Sequence, residues 1–191
     1  PFDEDIIQIA SFPIHAYLEA HIEQGPILER EHKLIGAVSG IQGVKWFKYC
    51  VEGRNSHAGT TPMPVRRDAL VAAARMVAEI DRILRADFPG AVVTVGMFAV
   101  SPGSINVINN AVRFSLDLRD GEAPRLLRAE AAVRAALEAI AREQQVTVTC
   151  DEIWYSPPTA FDSRIVDLVG QQADSLEFPQ QSIVSGAGHD A

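Results

Sequence analysis

The sequence predicts an α+β fold, in which a two-layer β-α-β-β-α-β unit is inserted into a second unit of α/β type. Two observations carry this. Between about Gly40 and Tyr155 the hydrophobic period switches in the order strand, helix, strand, strand, helix, strand. The segments on either side, 14–30 and 161–191, fit that unit poorly and read as pieces of another domain.

"GIQGVKWFKYCVEG" (40–53) is rich in aromatic and β-branched residues and is bounded by glycines, the signature of a strand. After turn residues, Leu70, Ala73, Val77, Ile80 and Leu84 recur at amphipathic-helix spacing, and Pro89-Gly90 ends the helix. "AVVTVGMFAV" (91–100) is almost wholly apolar, as expected of a strand buried on both faces. In "AVRFSLDLR" (111–119), Val112, Phe114, Leu116 and Leu118 alternate with Arg113, Ser115, Asp117 and Arg119, so one face is apolar and the other polar. A second helix, about 123–145, places Leu126, Val133, Leu137 and Ile140 on one side, and "VTVTCDEIW" closes the unit as a strand. This order is that of a ferredoxin-like domain with both helices on one sheet face. In the first flank Leu18, Ala20 and Ile22 alternate with Glu19, His21 and Glu23, which predicts His21 at the end of a strand.

Composition bounds the function. A formal charge of −8 over 191 residues argues against nucleic acid and anionic membrane as partners. No apolar run approaches the roughly 18–20 residues that span a bilayer. "PFDEDIIQIA" lacks the basic start of a signal peptide. Cys50 and Cys150 have no CxxC spacing and sit in strand-like runs, which predicts buried reduced thiols. A soluble, cytoplasmic protein is expected, and Pro1 in place of an initiator methionine suggests a segment of a longer one.

Four stretches hold more polar specificity than a core needs. "HIEQG" (21–25) offers His21 and Glu23, an imidazole and a carboxylate suited to a zinc-like ion, although a solvated strand end would look the same. "RNSHAGTTPMPVRRDA" (54–69) precedes a helix. Thr60 or Thr61 would account for its cap, leaving His57 surplus, while Arg66 and Arg67, like Arg119, read as solvated charges. In "SPGSINVINN" (101–110), Asn106 and Asn109 suit turns. "SGAGHDA" (185–191) sets His189 among glycines that permit close backbone approach to a ligand. His15 and His32 have no supporting pattern.

Taken in order, "HIEQGPILE", the Gly43 to Trp46 stretch, "SHAGTTPMPVRRDAL", "VSPGSINVI" and "SGAGHDA" closely resemble the N-carbamoyl-L-amino-acid hydrolase and allantoate amidohydrolase family, relatives of the two-metal aminoacylases and carboxypeptidases. The resemblance runs from about residue 14 to the last residue. It implies a catalytic α/β domain, represented by 1–39 and 156–191, with a ferredoxin-like lid and dimerisation domain at 40–155. By the same resemblance, His21 and His189 are ligands of a centre holding two divalent metal ions (zinc, manganese, cobalt or nickel). His57, Asn106 and Arg119 bind substrate from the lid, His57 also stabilises the oxyanion, and Gln24 and Gly188 are further substrate contacts. The family pattern runs "NVIPG" where this chain has Asn109-Asn110 after Ile108.

The reaction implied is hydrolysis of the linear amide C–N bond of N-carbamoyl-L-amino acids or related ureido acids by a homodimer. Its substrate is a small molecule bearing a carboxylate, with no nucleic acid or membrane involved. Allantoate amidohydrolase and β-ureidopropionase are the alternatives within the class. A non-catalytic dimerisation and substrate-binding module is the alternative outside it, because the family's remaining ligands and its general base have no counterpart here, so the segment alone is expected to be inactive.

Overall fold

The computed structural model describes residues 14–188. In chain order its elements are α1 (Ile27–Arg30), β1 (Ile35–Ile41), β2 (Gly43–Glu52), β3 (Ser56–His57), α2 (Ala69–Asp87), β4 (Val92–Thr94), β5 (Phe98–Ser101), β6 (Val107–Ile108), β7 (Ala111–Asp120), α3 (Ala123–Gln144), β8 (Thr147–Ser156), β9 (Thr159–Ala160), α4 (Ser163–Ser175) and β10 (Gln180–Ser185). Among the described residues these make a mixed α/β structure of three sheets and four α-helices.

The alternation of β7 organises the centre. Val112, Phe114, Leu116 and Leu118 are all at most 2% exposed, and their polar alternates lie on the opposite face. β7 pairs antiparallel with β2 and β4, β2 pairs antiparallel with β8, and β5 extends the β7 edge, giving the order β4-β7-β2-β8. Phe47, Tyr49 and Val51 of β2 join the β7 residues against Met76, Ile80 and Ile83 of α2 and Leu126, Val133 and Leu137 of α3. Full burial of each large aliphatic side chain contributes about 1.5–3 kcal/mol, so this single layer of contacts dominates stability. On α2 the buried stripe centres on Ala72, Met76, Ile80 and Ile83, with Leu70 and Val77 at its margin. On α3, Ile140 is likewise marginal and Ala129 and Ala141 complete the stripe.

Several expectations need correction. The run 91–100 is not one doubly buried strand. It is two short strands at the sheet edge, with Val92 and Phe98 exposed and Val93 and Val100 against the core. The helices cover only one sheet face, so continuous apolarity does not mean burial on both sides. The run 40–53 straddles two sheets: β1 ends at Ile41 and β2 begins at Gly43. Residues 14–23 form no strand, and both of their alternating sets are largely exposed. Cys50 and Cys150 are free but half-buried, and the pairings Cys50↔Thr149 and Tyr49↔Cys150 put them on opposite sheet faces.

The flanks build the second sheet. β1 runs parallel to β10 and antiparallel to β9, with α4 connecting β9 to β10. Asp162 caps α4 by accepting the Arg164 N–H, and the Arg164 side chain holds its carboxyl down at about 2. The two sheets meet where Gly43 lies against Pro158, so close that a Cβ there would stand 2.5 Å from the proline ring. No helix among the described residues is long and apolar enough to cross a membrane.

Candidate functional site

A two-stranded ribbon carries His57, and Asn106 lies in the turn immediately before its second strand. Ser56↔Ile108 and His57↔Val107 pair antiparallel, and the Ala58 N–H donates to the Asn106 carbonyl at 2.9 Å. Neighbouring backbone stitches hold the ribbon to the core sheet. The Gly53 N–H donates to the Asn110 carbonyl (2.8 Å), Arg54 N–H to Arg67 carbonyl (2.8 Å), and Ala69 N–H to Asn109 carbonyl (3.1 Å). Gly53 is required because any Cβ there would collide with the Arg67 carbonyl. The Asn109 side chain accepts the Gly103 N–H at 3.0 Å, and the Asn106 side chain accepts the Ser104 hydroxyl at 3.1 Å. Asn109-Asn110 thus secure the turn where the family pattern has Pro-Gly.

His57 is exposed, and its Nδ1 accepts the Gly59 N–H at 3.1 Å. A ring nitrogen that accepts carries no proton, so the neutral imidazole keeps its proton on Nε2 as a donor. Arg66 is not a solvated charge. Its Nε donates to the Thr61 carbonyl (3.0 Å) and its Nη2 to the Ala58 carbonyl (2.6 Å), closing the loop that follows His57. The cap of α2 is Asp68, which accepts the Leu70 and Val71 N–H groups, and neither Thr60 nor Thr61 serves there.

Arg119 lies near the end of β7, on the sheet face turned away from the helices. Nε and Nη2 donate to the Asp117 carboxylate at 2.9 and 2.6 Å, and Nη1 donates to the Gly186 carbonyl at 2.6 Å. The bond to Asp117 raises the Arg119 pKa against the opposing effect of burial. This contact joins the central sheet to the segment that leads into His189. Trp46 pairs in register with Asp117 and Trp154, and the two indole centroids lie 6.2 Å apart on this face. Gly186 and Gly188 have open space where a Cβ would stand, so no contact among the described residues demands glycine at either position.

The first flank departs from expectation. His21 is exposed and its Nδ1 lies 2.8 Å from the Ile22 carbonyl. Glu23 does not complete a metal pair with it. Both Glu23 oxygens accept backbone N–H groups, of Ile27 (2.8 Å) and Leu28 (2.9 Å), at the start of α1. Gln24, exposed at φ 54°, makes the turn into that helix. His189 lies outside the described residues. Among the described residues no group of three or more His, Cys, Asp or Glu side chains is placed to hold a metal ion. A groove of about 460 Å³ between the end of α2 and β4 is lined by residues from Asp81 to Val93 and includes none of these candidates.

Sequence reasoning missed Asp117 and Arg66. The opposite charges two residues apart on one strand face were a usable signal for Asp117. For Arg66 there was none, because its partners are backbone carbonyls.

Comparison with known proteins follows the same outline. Residues 39–172 match the peptidase dimerisation domain (M20_dimer). The N-carbamoyl-L-amino-acid amidohydrolase of Paenarthrobacter aurescens is 41% identical over 178 residues, 93% of this chain and 43% of that protein. The allantoate amidohydrolase of Bacillus subtilis (strain 168) is 34% identical over 180 residues, again 93% of this chain and 43% of that protein. A crystal structure of an amidase of the hydantoinase/carbamoylase family from Burkholderia multivorans superposes with a TM-score of 0.85 at 44% identity, covering 90% of this chain and 42% of that one. The chain therefore spans less than half the length of the relatives it matches. With a central sheet and paired helices inside the matched region, the chain belongs to the peptidase dimerisation domain (M20_dimer) family and has N-carbamoyl-L-amino-acid and allantoate amidohydrolases as homologues.

Proposed function

We propose that this chain is the substrate-contacting part of an amidohydrolase that cleaves the linear amide C–N bond of N-carbamoyl-L-amino acids or related ureido acids. In this reading the central unit is a ferredoxin-like lid that also forms a homodimer, inserted at 40–155 into a catalytic α/β domain to which 1–39 and 156–191 belong. The observation that carries it is the donor set on the central unit. His57, with its proton on Nε2, stands beside Asn106, and Arg119 reaches the segment leading to His189. Allantoate amidohydrolase and ureidopropionase chemistry would use the same groups. The leading substrate class is supported by the higher identity to the carbamoyl-amino-acid relative, 41% against 34%.

A ureido carbonyl is a poor electrophile, and negative charge grows on its oxygen as water adds. The His57 Nε2–H can donate to that oxygen, and the interaction strengthens as charge develops, which is what lowers a barrier. The Asn106 amide can donate and accept along the ureido group, and the Arg119 guanidinium suits the substrate carboxylate. Gln24 and Gly188, both exposed, are assigned further substrate contacts. His21 and His189 would hold the two divalent metal ions together with donors beyond the described residues. The described residues alone do not make a closed metal site.

The test uses a protein of the relatives' full length. His57→Ala should lower kcat by about 100-fold if the ring stabilises the transition state. Arg119→Ala should instead raise KM by roughly 10- to 150-fold for substrates bearing a carboxylate. Metal content should stay unchanged in both. Loss of metal from either variant, or near-normal kcat/KM in both, would overturn the assignment.

A further inference from the structure

We infer that Asp117 is a positioning residue for ligand recognition, holding the Arg119 guanidinium side-on so that its remaining N–H groups meet a carboxylate. This rests on the reading of Arg119 above and goes one step further.

A guanidinium has five N–H donors in a planar fork. In Arg119, Nε and Nη2 each give one to Asp117, and Nη1 gives one to the Gly186 carbonyl. Two donors remain, one on each terminal nitrogen, and a ligand carboxylate can accept from them. The mounting is rigid. Asp117 and Arg119 are two apart on one face of β7, a strand paired on both sides: Asp117 with Trp46 and Thr94, Arg119 with Val44 and Val92. Both side chains are partly buried, 28% and 27% exposed.

A carboxylate beside the anion-binding group also cancels charge that would attract an anion. Asp117 therefore trades raw attraction for a fixed direction, and this gives the test a sign. If orientation dominates, removing Asp117 weakens binding of a carboxylate; if charge dominates, it tightens binding.

The experiment measures kcat and KM in a protein of the relatives' full length, for an N-carbamoyl-L-amino acid and for its primary amide, which lacks the carboxylate. Asp117→Ala should raise KM for the acid by about 10-fold and leave kcat, and KM for the amide, within about twofold. Asp117→Asn should raise it by only about threefold, because its Oδ1 still accepts one N–H. In an Arg119→Ala background, Asp117→Ala should add nothing, since the residue acts through Arg119. A fall in KM, an equal rise for acid and amide, or an effect that persists without Arg119 would overturn the inference. If Asp117→Ala does not fold, Asp117→Asn carries the same comparisons. A normal KM for the acid in Arg119→Ala would sink the reading of Arg119 and this inference with it. A response to Arg119→Ala without one to Asp117 would sink this inference alone.

Discussion

The central unit and the flanks use the same kinds of element with opposite outcomes for burial. Around β2 and β7, nineteen buried apolar residues form one cluster under two helices. In the flanks, Ala37 and Ala173 are buried, while Ile14, Tyr17, Leu18, Ile22, Leu34, Leu176 and Phe178 are exposed. An antiparallel sheet needs only one covered face, and α2 and α3 supply it. A parallel pair such as β1-β10 reaches stability when both faces are covered. The contrast fits the proposal that the flanks are layers of a larger catalytic domain, whereas the central unit closes its own core. It also places stability and candidate chemistry apart: the buried face of the central sheet holds the fold, and Arg119 stands on the other.

The contrast breaks most directly in the core. Phe47→Ala removes a side chain with no exposure from the centre of β2 and should cost about 3–5 kcal/mol in urea unfolding. Leu34→Ala, at a position 67% exposed in the flank, should change stability by no more than about 0.5 kcal/mol. Comparable losses at both positions would erase the distinction.

A smaller effect belongs to the ion cluster that fastens α3 to β8. Lys45, 5% exposed, is bonded to Glu130 and to Glu152 (2.8 Å), and its ammonium lies over the Phe47 and Tyr155 rings at 5.5 and 5.0 Å. Lys45→Ala leaves Arg134 as the remaining partner of the Glu130 carboxylate and should cost about 1–3 kcal/mol. Burial by itself would raise the Glu130 pKa, but the bonds from Lys45 and Arg134 outweigh it and hold the group below its usual 4.5. A depressed carboxylate contributes its stability in full above that usual value and loses it as pH falls through the lower folded value. The acid limb of a pH–stability curve should therefore be shallower in Glu130→Gln than in the parent protein. An unchanged limb would show that other carboxylates set it.

The smallest effect sharpens the boundary between scaffold and site. Asp68 caps α2 just beyond the loop closed by Arg66. Asp68→Ala should cost about 1 kcal/mol in thermal or urea unfolding. If the ribbon of β3 and β6 depends on its own stitches, the amide exchange of Ala58 should be unaffected.

Periodicity was legible wherever one face meets a core. Val112, Phe114, Leu116 and Leu118 could be assigned to the buried side from alternation alone, because a one-residue slip would bury Arg113 and Asp117. Helix positions were legible for the same reason, although the exact stripe on α2 was not. Ala72 and Met76 are fully buried there, while Leu70 and Val77 lie at the margin. The run 91–100 misled because apolar composition does not say how many faces of a sheet are covered.

The candidate site divides along the same line. From the sequence alone came His57 as a surplus residue, the four polar stretches and, through their order, the family. Tertiary structure alone decided that a ribbon brings His57 beside the turn of Asn106, since two-residue strands carry no periodic signal and exist only through pairing between distant segments. It also decided that Glu23 caps a helix and that Arg66 closes a loop, because the acceptors and donors involved are backbone groups, which every residue possesses alike. Side-chain pattern records what a residue must avoid or bury. Which backbone atoms come within reach of a given side chain is settled only when the chain has folded.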